Sequence, residues 1–221
     1  MLINEFPFFS NKECDEIKQY AYKKEKKIIY DLKNVFHYFT EEKFNDFGQP
    51  IEEKYNNSVT TNHYNHYNFL KDNPVYADRL VDLLIQTEAP LRWPILVQSW
   101  VNIYRKGDGI GWHNHYGSGL SFNIFIDGDP EPGPVYVLGG KDGNLPEYEM
   151  ETQNYPNKKG VMQIFPSPVY HKVDPLASEE DRITIGGTLH HYSDICRNTL
   201  NYLSFNNKKD HGLIVLSNEK T

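Results

Sequence analysis

The stretch ILVQSWVNIYR, residues 95–105, alternates with a period of two and opens a train of short strands, and no other feature constrains the fold as much. LSFNIFI at 120–126 follows a Gly-rich turn over 107–111, and VYVL at 135–138 follows the turn DGDPEPGP. A further segment near 148–152, then VMQIF at 161–165, VYHKV at 169–173 and RITIGGTL at 182–189 continue the pattern. Counted from Trp93, this makes six or seven strands in roughly a hundred residues, the size of a double-sheet jelly roll. Aromatics at 14%, with 15 glycines and 13 prolines, suit short strands and many turns. The expected class is mainly β: a double-stranded β-helix (jelly roll) with N-terminal and pre-core helices packed on one side.

Ahead of the strands two helices are legible. Ser10 and Glu13 form a capping box, and Cys14, Ile17 and Ala21 recur at helical spacing, which predicts a helix over about 11–24. Asn73 and Pro74 open a second helix whose stripe Val75, Leu80, Val81, Leu84 stops near Pro90. Residues 28–73 are polar, aromatic and Asn-rich and read as irregular structure with one or two short strands, while NTLNYLSF and GLIVLS suggest a final hairpin. No repeat or low-complexity linker divides the 221 residues. They read as a single domain with a core at about 93–192, an N-terminal part over 1–92 and a C-terminal extension over 193–221.

Composition narrows the function classes. A net charge of −7 with scattered basic residues disfavours duplex nucleic acid as a partner, and Lys23, Lys24, Lys26 and Lys27 suit the solvated end of a helix. Cys14 and Cys196 lie far apart and suggest no disulfide framework. The start MLINEFPFFSNKECDE has neither a basic beginning nor a long apolar run, and no stretch approaches eighteen apolar residues. The expectation is a cytoplasmic protein that does not engage a membrane.

Chemistry concentrates in GWHNHYGSG, residues 111–119. Two residues apart on a strand, His113 and His115 would point to one side about 6.5 Å apart, close enough to share a metal. Imidazole suits iron, zinc, copper and nickel alike, so the pair names no metal and needs a third ligand. His171 is the candidate, on a strand after the Pro-flanked turn in IFPSPVYHKV. Arg182, with Thr184 on its side of the next strand, would be costly inside a barrel unless an anion receives it, and its planar fork matches a carboxylate.

The phrases SWVNIYRKGDGIGWHNHYGSGLSFNIFI, IFPSPVYHKVDP and RITIGGTL, in that order, resemble the iron(II)- and 2-oxoglutarate-dependent oxygenases. The likeness is greatest to a bacterial and phage group with a His-x-His, then Phe-Pro-Ser…His, then Arg-x-Ser order. It covers 93–192 well and 1–24 loosely. It implies that His113 and His171 bind iron(II), that Arg182 and Thr184 clamp the distal carboxylate of 2-oxoglutarate, and that Tyr104 lies near that co-substrate. Asn123 and Ser121 would line the pocket. Most of these oxygenases carry Asp or Glu where this chain has His115, though the group it most resembles shares the substitution, so His113, His115 and His171 form the expected metal set. The implied reaction hydroxylates a peptide side chain such as proline, or a small metabolite, with release of succinate and carbon dioxide; no catalytic residue beyond the metal ligands is implied.

Other readings stand beside this one. A three-histidine cupin dioxygenase would dispense with 2-oxoglutarate, and a non-catalytic metal-binding jelly roll would dispense with turnover; neither needs Arg182 and Thr184. A reading without any metal has His113 and His115 cap a strand against backbone carbonyls and Arg182 pair with Asp181 or a loop acid. His63 and His66 in NHYNHYN read as loop residues near the pocket mouth, His190 and His191 as a strand end, and DGDPEPG as a hairpin turn, since it lacks the twelve-residue calcium loop.

Overall fold

In a computed structural model the described residues are 3–34, 59–60, 67–91, 93–115, 119–137, 152–191 and 214–217. The strands are β1 (Asn4–Pro7), β2 (Val59–Thr60), β3 (Ile95–Tyr104), β4 (Ile110–His113), β5 (Leu120–Asp127), β6 (Pro134–Val137), β7 (Thr152–Asn154), β8 (Val161–Pro166), β9 (His171–Val173), β10 (Arg182–His191) and β11 (Ile214–Leu216). The helices are α1 (Asn11–Asn34), α2 (Phe69–Asp72) and α3 (Pro74–Gln86).

Two antiparallel sheets form the jelly roll. The larger runs β1-β8-β5-β10-β3-β11, with β2 also on β3, and the smaller runs β4-β9-β6-β7. Its long central ladder pairs β10 with β3 from Arg182↔Tyr104 to His191↔Ile95. Because alternate residues of a strand face opposite ways, this register sorts the chemistry of both strands. Ile183, Ile185 and Leu189 on β10, with Val97, Val101 and Ile103 on β3, turn outward and join Ile17, Ala21, Ala77, Leu80 and Leu84 in the main apolar core. Each fully buried Ile or Leu there contributes about 1.5–3 kcal/mol. The other parity, with Arg182, Thr184 and Thr188 opposite Tyr104, Asn102 and Gln98, faces the space between the sheets. The main apolar core is therefore external to the jelly roll, between the large sheet and the helices, and the interior combines polar side chains with a few aromatic ones.

The helices follow their local signals. Ser10 and Glu13 close the capping box, with the Ser10 amide donating to Glu13 Oε2 at 2.8 Å and the Glu13 amide donating to Ser10 Oγ at 3.3 Å. Helix α1 runs ten residues further than the apolar spacing to 24 indicates, reaching Asn34. Helix α3 starts at Pro74 as expected, but Val75 is 62% exposed and Ala77 takes its place in the buried stripe. Asn68 caps α2 through Oδ1 and ties it to the sheet by donating from Nδ2 to the Val97 carbonyl at 2.9 Å.

Three further differences concern strands. INEFPFF contains β1, which adds to the edge of the large sheet at β8, although its polar and proline residues gave no alternation to read. The segment expected near 148–152 is found at Thr152–Asn154. GLIVLS supplies β11, which pairs with β3; NTLNYLSF, the other half of the expected hairpin, lies outside the described residues, as do His63 and His66. Among the described residues no helix is long and apolar enough to cross a membrane.

Candidate metal and co-substrate site

The three expected histidines meet between the sheets. Their candidate ligand atoms all lie within 4.8 Å of one another. His113 ends β4 and His171 begins β9, where they are direct cross-strand partners with ring centroids 4.1 Å apart. His115 lies just past the end of β4, not within a strand, with its ring 5.4 Å from His113 and 5.2 Å from His171. Its position is set through its backbone: the His115 amide donates to the Ser167 carbonyl at 2.9 Å. Ser167 is itself pinned, its amide donating to Gly119 O at 3.0 Å and its hydroxyl bonded to Ser121 Oγ at 2.9 Å. The serine of Phe165-Pro166-Ser167 and the Ser121 of the next strand thus hold the third imidazole in place.

Protonation suits ligation. His113 Nδ1 lies 2.9 Å from the Gly111 carbonyl and His171 Nδ1 lies 2.9 Å from the Val169 carbonyl. A carbonyl only accepts, so each Nδ1 carries the proton and Nε2 keeps the lone pair. Burial holds His113 below the ordinary histidine value, His115 at about 4 and His171 well below 6.5, with the neighbouring histidines adding to the last two shifts. All three are neutral near pH 7, the form a transition metal requires. The expected alternative, in which the histidines merely cap a strand, accounts for the two carbonyl contacts but not for the convergence of the rings.

Along the polar face from these rings lies a second constellation. Arg182 is 1% exposed, and its Nε and Nη2 donate to the main-chain carbonyls of Asp129 at 3.0 Å and Glu131 at 2.5 Å. Nη1 is buried and has no hydrogen-bond partner among the described residues. Arg182 therefore makes no side-chain pair with Asp181, whose carboxylate instead lies 3.6 Å from Arg105 and accepts from Tyr22. Tyr104 is its cross-strand neighbour, and on the next inward-facing position of β10 the Thr184 hydroxyl accepts from Asn102 Nδ2 at 3.1 Å. Burial drives the Tyr104 phenol well above its usual range, so it stays a neutral hydroxyl. A buried cation with an unpaired N–H beside a tyrosine hydroxyl is costly in the free protein and fits one carboxylate group. The turn DGDPEPG, which Arg182 grips by its carbonyls, joins β5 of the large sheet to β6 of the small one; the two strands do not pair, so it is a connection between the sheets and not the hairpin turn its composition indicated.

Asn123 faces the interior as expected, opposite Gly186 on β10 and Gln163 on β8. The residue between the two constellations is Trp100, which the sequence reading passed over although it shares the parity of Asn102 and Tyr104. Its indole crosses Gly186, where an added Cβ would sit 2.6 Å from Trp100 Nε1, and its ring centroid is 5.6 Å from that of His115. Phe165 and Tyr136, also unanticipated, wall in His171 at 4.8 and 5.7 Å, and no spacing in the sequence connects them to it. His190 has the inward parity and lowers the pKa of His115, so it belongs to the surroundings of the site and is more than a strand end.

Comparisons with known proteins converge on the same region. Residues 98–186 match the family model described as "Putative 2OG-Fe(II) oxygenase", a span that contains every residue of both constellations. No curated protein matches the chain in sequence. Among solved structures, HygX from Streptomyces hygroscopicus with nickel and 2-oxoglutarate bound is 12% identical, with a TM-score of 0.57 over 87% of this chain and 83% of that one. SnoN from nogalamycin biosynthesis, in complex with Fe3+, alpha ketoglutarate and nogalamycin RO, is 10% identical, with a TM-score of 0.57 over 86% and 79%. A viral collagen prolyl hydroxylase from Paramecium Bursaria Chlorella virus-1 is 13% identical, with a TM-score of 0.52 over 86% and 97%. At these identities the likeness is one of fold.

Proposed function

We propose, from the match of residues 98–186 to the 2OG-Fe(II) oxygenase family, that the chain is an iron(II)- and 2-oxoglutarate-dependent oxygenase that hydroxylates an organic substrate, either a peptide side chain such as proline or a small metabolite. In this reading His113, His115 and His171 hold the iron through imidazole nitrogens, and Arg182 with Tyr104 and Thr184 receives the distal carboxylate of 2-oxoglutarate. Asn123 lines the same interior. The observation that carries the proposal is the buried Arg182 Nη1 without a partner among the described residues, on the same inner sheet face as the approach to the three histidines. A cupin-type site acting without 2-oxoglutarate has no use for it.

Iron(II) and 2-oxoglutarate, held by His113, His115, His171 and Arg182, would supply the oxidising power for hydroxylating a substrate C–H bond with dioxygen, with succinate and carbon dioxide as the co-products. The protein's own residues bind, orient and exclude. The carbonyls of Gly111 and Val169 hold two imidazoles with Nε2 inward. Arg182, already fixed by two carbonyls, offers its remaining N–H without reorganising. The Asn102 amide orients the Thr184 hydroxyl, and Trp100 fills the space beside His115.

Anaerobic titration of the iron(II)-loaded protein with 2-oxoglutarate, followed by its visible charge-transfer band, tests this. The parent should bind 2-oxoglutarate more tightly than 2-oxobutyrate, which lacks the distal carboxylate. Arg182→Gln should erase that preference at a cost of about 2 kcal/mol or more, roughly thirtyfold. Equal binding of both acids by the parent would refute the carboxylate clamp.

A further inference from the structure

We infer that Tyr136 is a positioning residue for His171, and that the N-terminal strand β1 governs it through Gln163 and Glu5. The inference rests on His171 being an iron ligand.

Hydrogen-bond direction along this chain is fixed from its outer end. The Glu5 carboxylate and the Pro156 carbonyl can only accept, so Gln163 must present Nε2 to them, at 3.2 and 3.4 Å. Its Oε1 is thereby turned to Tyr136, whose hydroxyl donates to it at 3.1 Å. Tyr136 is fully buried and Gln163 is 3% exposed, so neither has water as an alternative partner. The tyrosine ring, held at its hydroxyl end, lies against His171 at 5.7 Å with an interplanar angle of 28°. Phe165 meets the same imidazole edge-on at 4.8 Å and Tyr136 at 4.9 Å.

The His171 Nδ1–H bond to Val169 fixes the tautomer but leaves the tilt of the ring to its walls. Those walls rest on β1. Ile3 packs with Tyr136 and Phe165 in a small core of their own, separate from the main one. Glu5 is the cross-strand partner of Gln163 and is steadied by Lys158 at 2.5 Å. Gln163 belongs to the large sheet and Tyr136 to the small one, where it is the cross-strand partner of His171. The bond between them spans the jelly roll and delivers the position of β1 to the metal-binding ring.

Cobalt(II) binding, measured by calorimetry and by its ligand-field absorption, reads this without turnover. Tyr136→Phe should weaken cobalt about tenfold, the low end for partners outside the coordination sphere, and shift the bands. Glu5→Ala should do the same to a smaller degree, and Glu5→Gln, whose amide oxygen still accepts from Gln163, should behave as the parent. Ile17→Val, a mild truncation in the main core, should lower thermal stability and leave cobalt binding and bands unchanged. If Tyr136→Phe keeps the parent's affinity and bands while His171→Ala abolishes binding, the inference is wrong and the iron-site reading stands. If His171→Ala binds cobalt as the parent does, the reading fails and the inference with it.

Discussion

Gly186 shows how a single position can decide the shape of the site. An added methyl there would meet Trp100 Nε1 at 2.6 Å and Cε2 at 2.8 Å, so the indole must move, and its neighbour in that direction is His115. Gly186→Ala should cost about 1–3 kcal/mol by overpacking and alter tryptophan emission; unchanged melting and emission would show that Trp100 does not lie across the glycine. The adjacent Gly187 serves the outer face, where a Cβ would fall 2.2 Å from Phe122 Cζ. The pair in RITIGGTL thus admits one aromatic ring on each side of β10. His113, His171 and Arg182 were legible because such residues are expensive to bury without a task. Trp100, Tyr136 and Phe165 were not, because an aromatic residue in a strand looks the same whether it packs a core or walls a ligand.

At the scale of elements, α1 joins the rest of the chain through the residue that starts it. Glu13 closes its capping box and also receives Arg79 of α3, with Nη2 donating to Oε1 at 2.7 Å. The Arg79 hydrogen bond is the main cause that holds the Glu13 carboxyl at about 2. Glu13→Ala should cost about 1–2 kcal/mol: about 1 for the cap and up to 1 for a part-exposed ion pair. Urea unfolding would measure it, and a loss under a few tenths would show the cap to be idle. Strands with clean alternation, β3, β5, β8 and β10, were predicted nearly to the residue, since both neighbours of each impose the same parity. Strand β1 was missed because it lies at a sheet edge, pairs on one side and tolerates Pro7.

For the whole molecule, the buried histidines tie stability to pH and to metal. Unfolded, each takes a proton near 6.5; folded, burial keeps His113 below that value, His115 at about 4 and His171 well below. Between these values the unfolded chain binds more protons, so stability that is full above pH 6.5 should fall as pH drops toward 4. Thermal melts of metal-free protein from pH 8 to 4 check this, and a flat profile would mean that the imidazoles are not buried. At neutral pH, cobalt at a hundred times its Kd should add about 2.7 kcal/mol, an effect that acid removes as protons displace the metal. By itself the sequence determined the mainly β class, most strand positions, and the histidines, Arg182 and Thr184 as the candidate site, because strand parity and the cost of burying polar groups act locally. The tertiary structure decided what those rules cannot reach: that the main apolar core lies outside the jelly roll, that Arg182 gives two of its donors to the turn joining the two sheets, and that β1 stands behind His171. Each depends on which sheet faces which, a relation between segments far apart in the chain that no local spacing records.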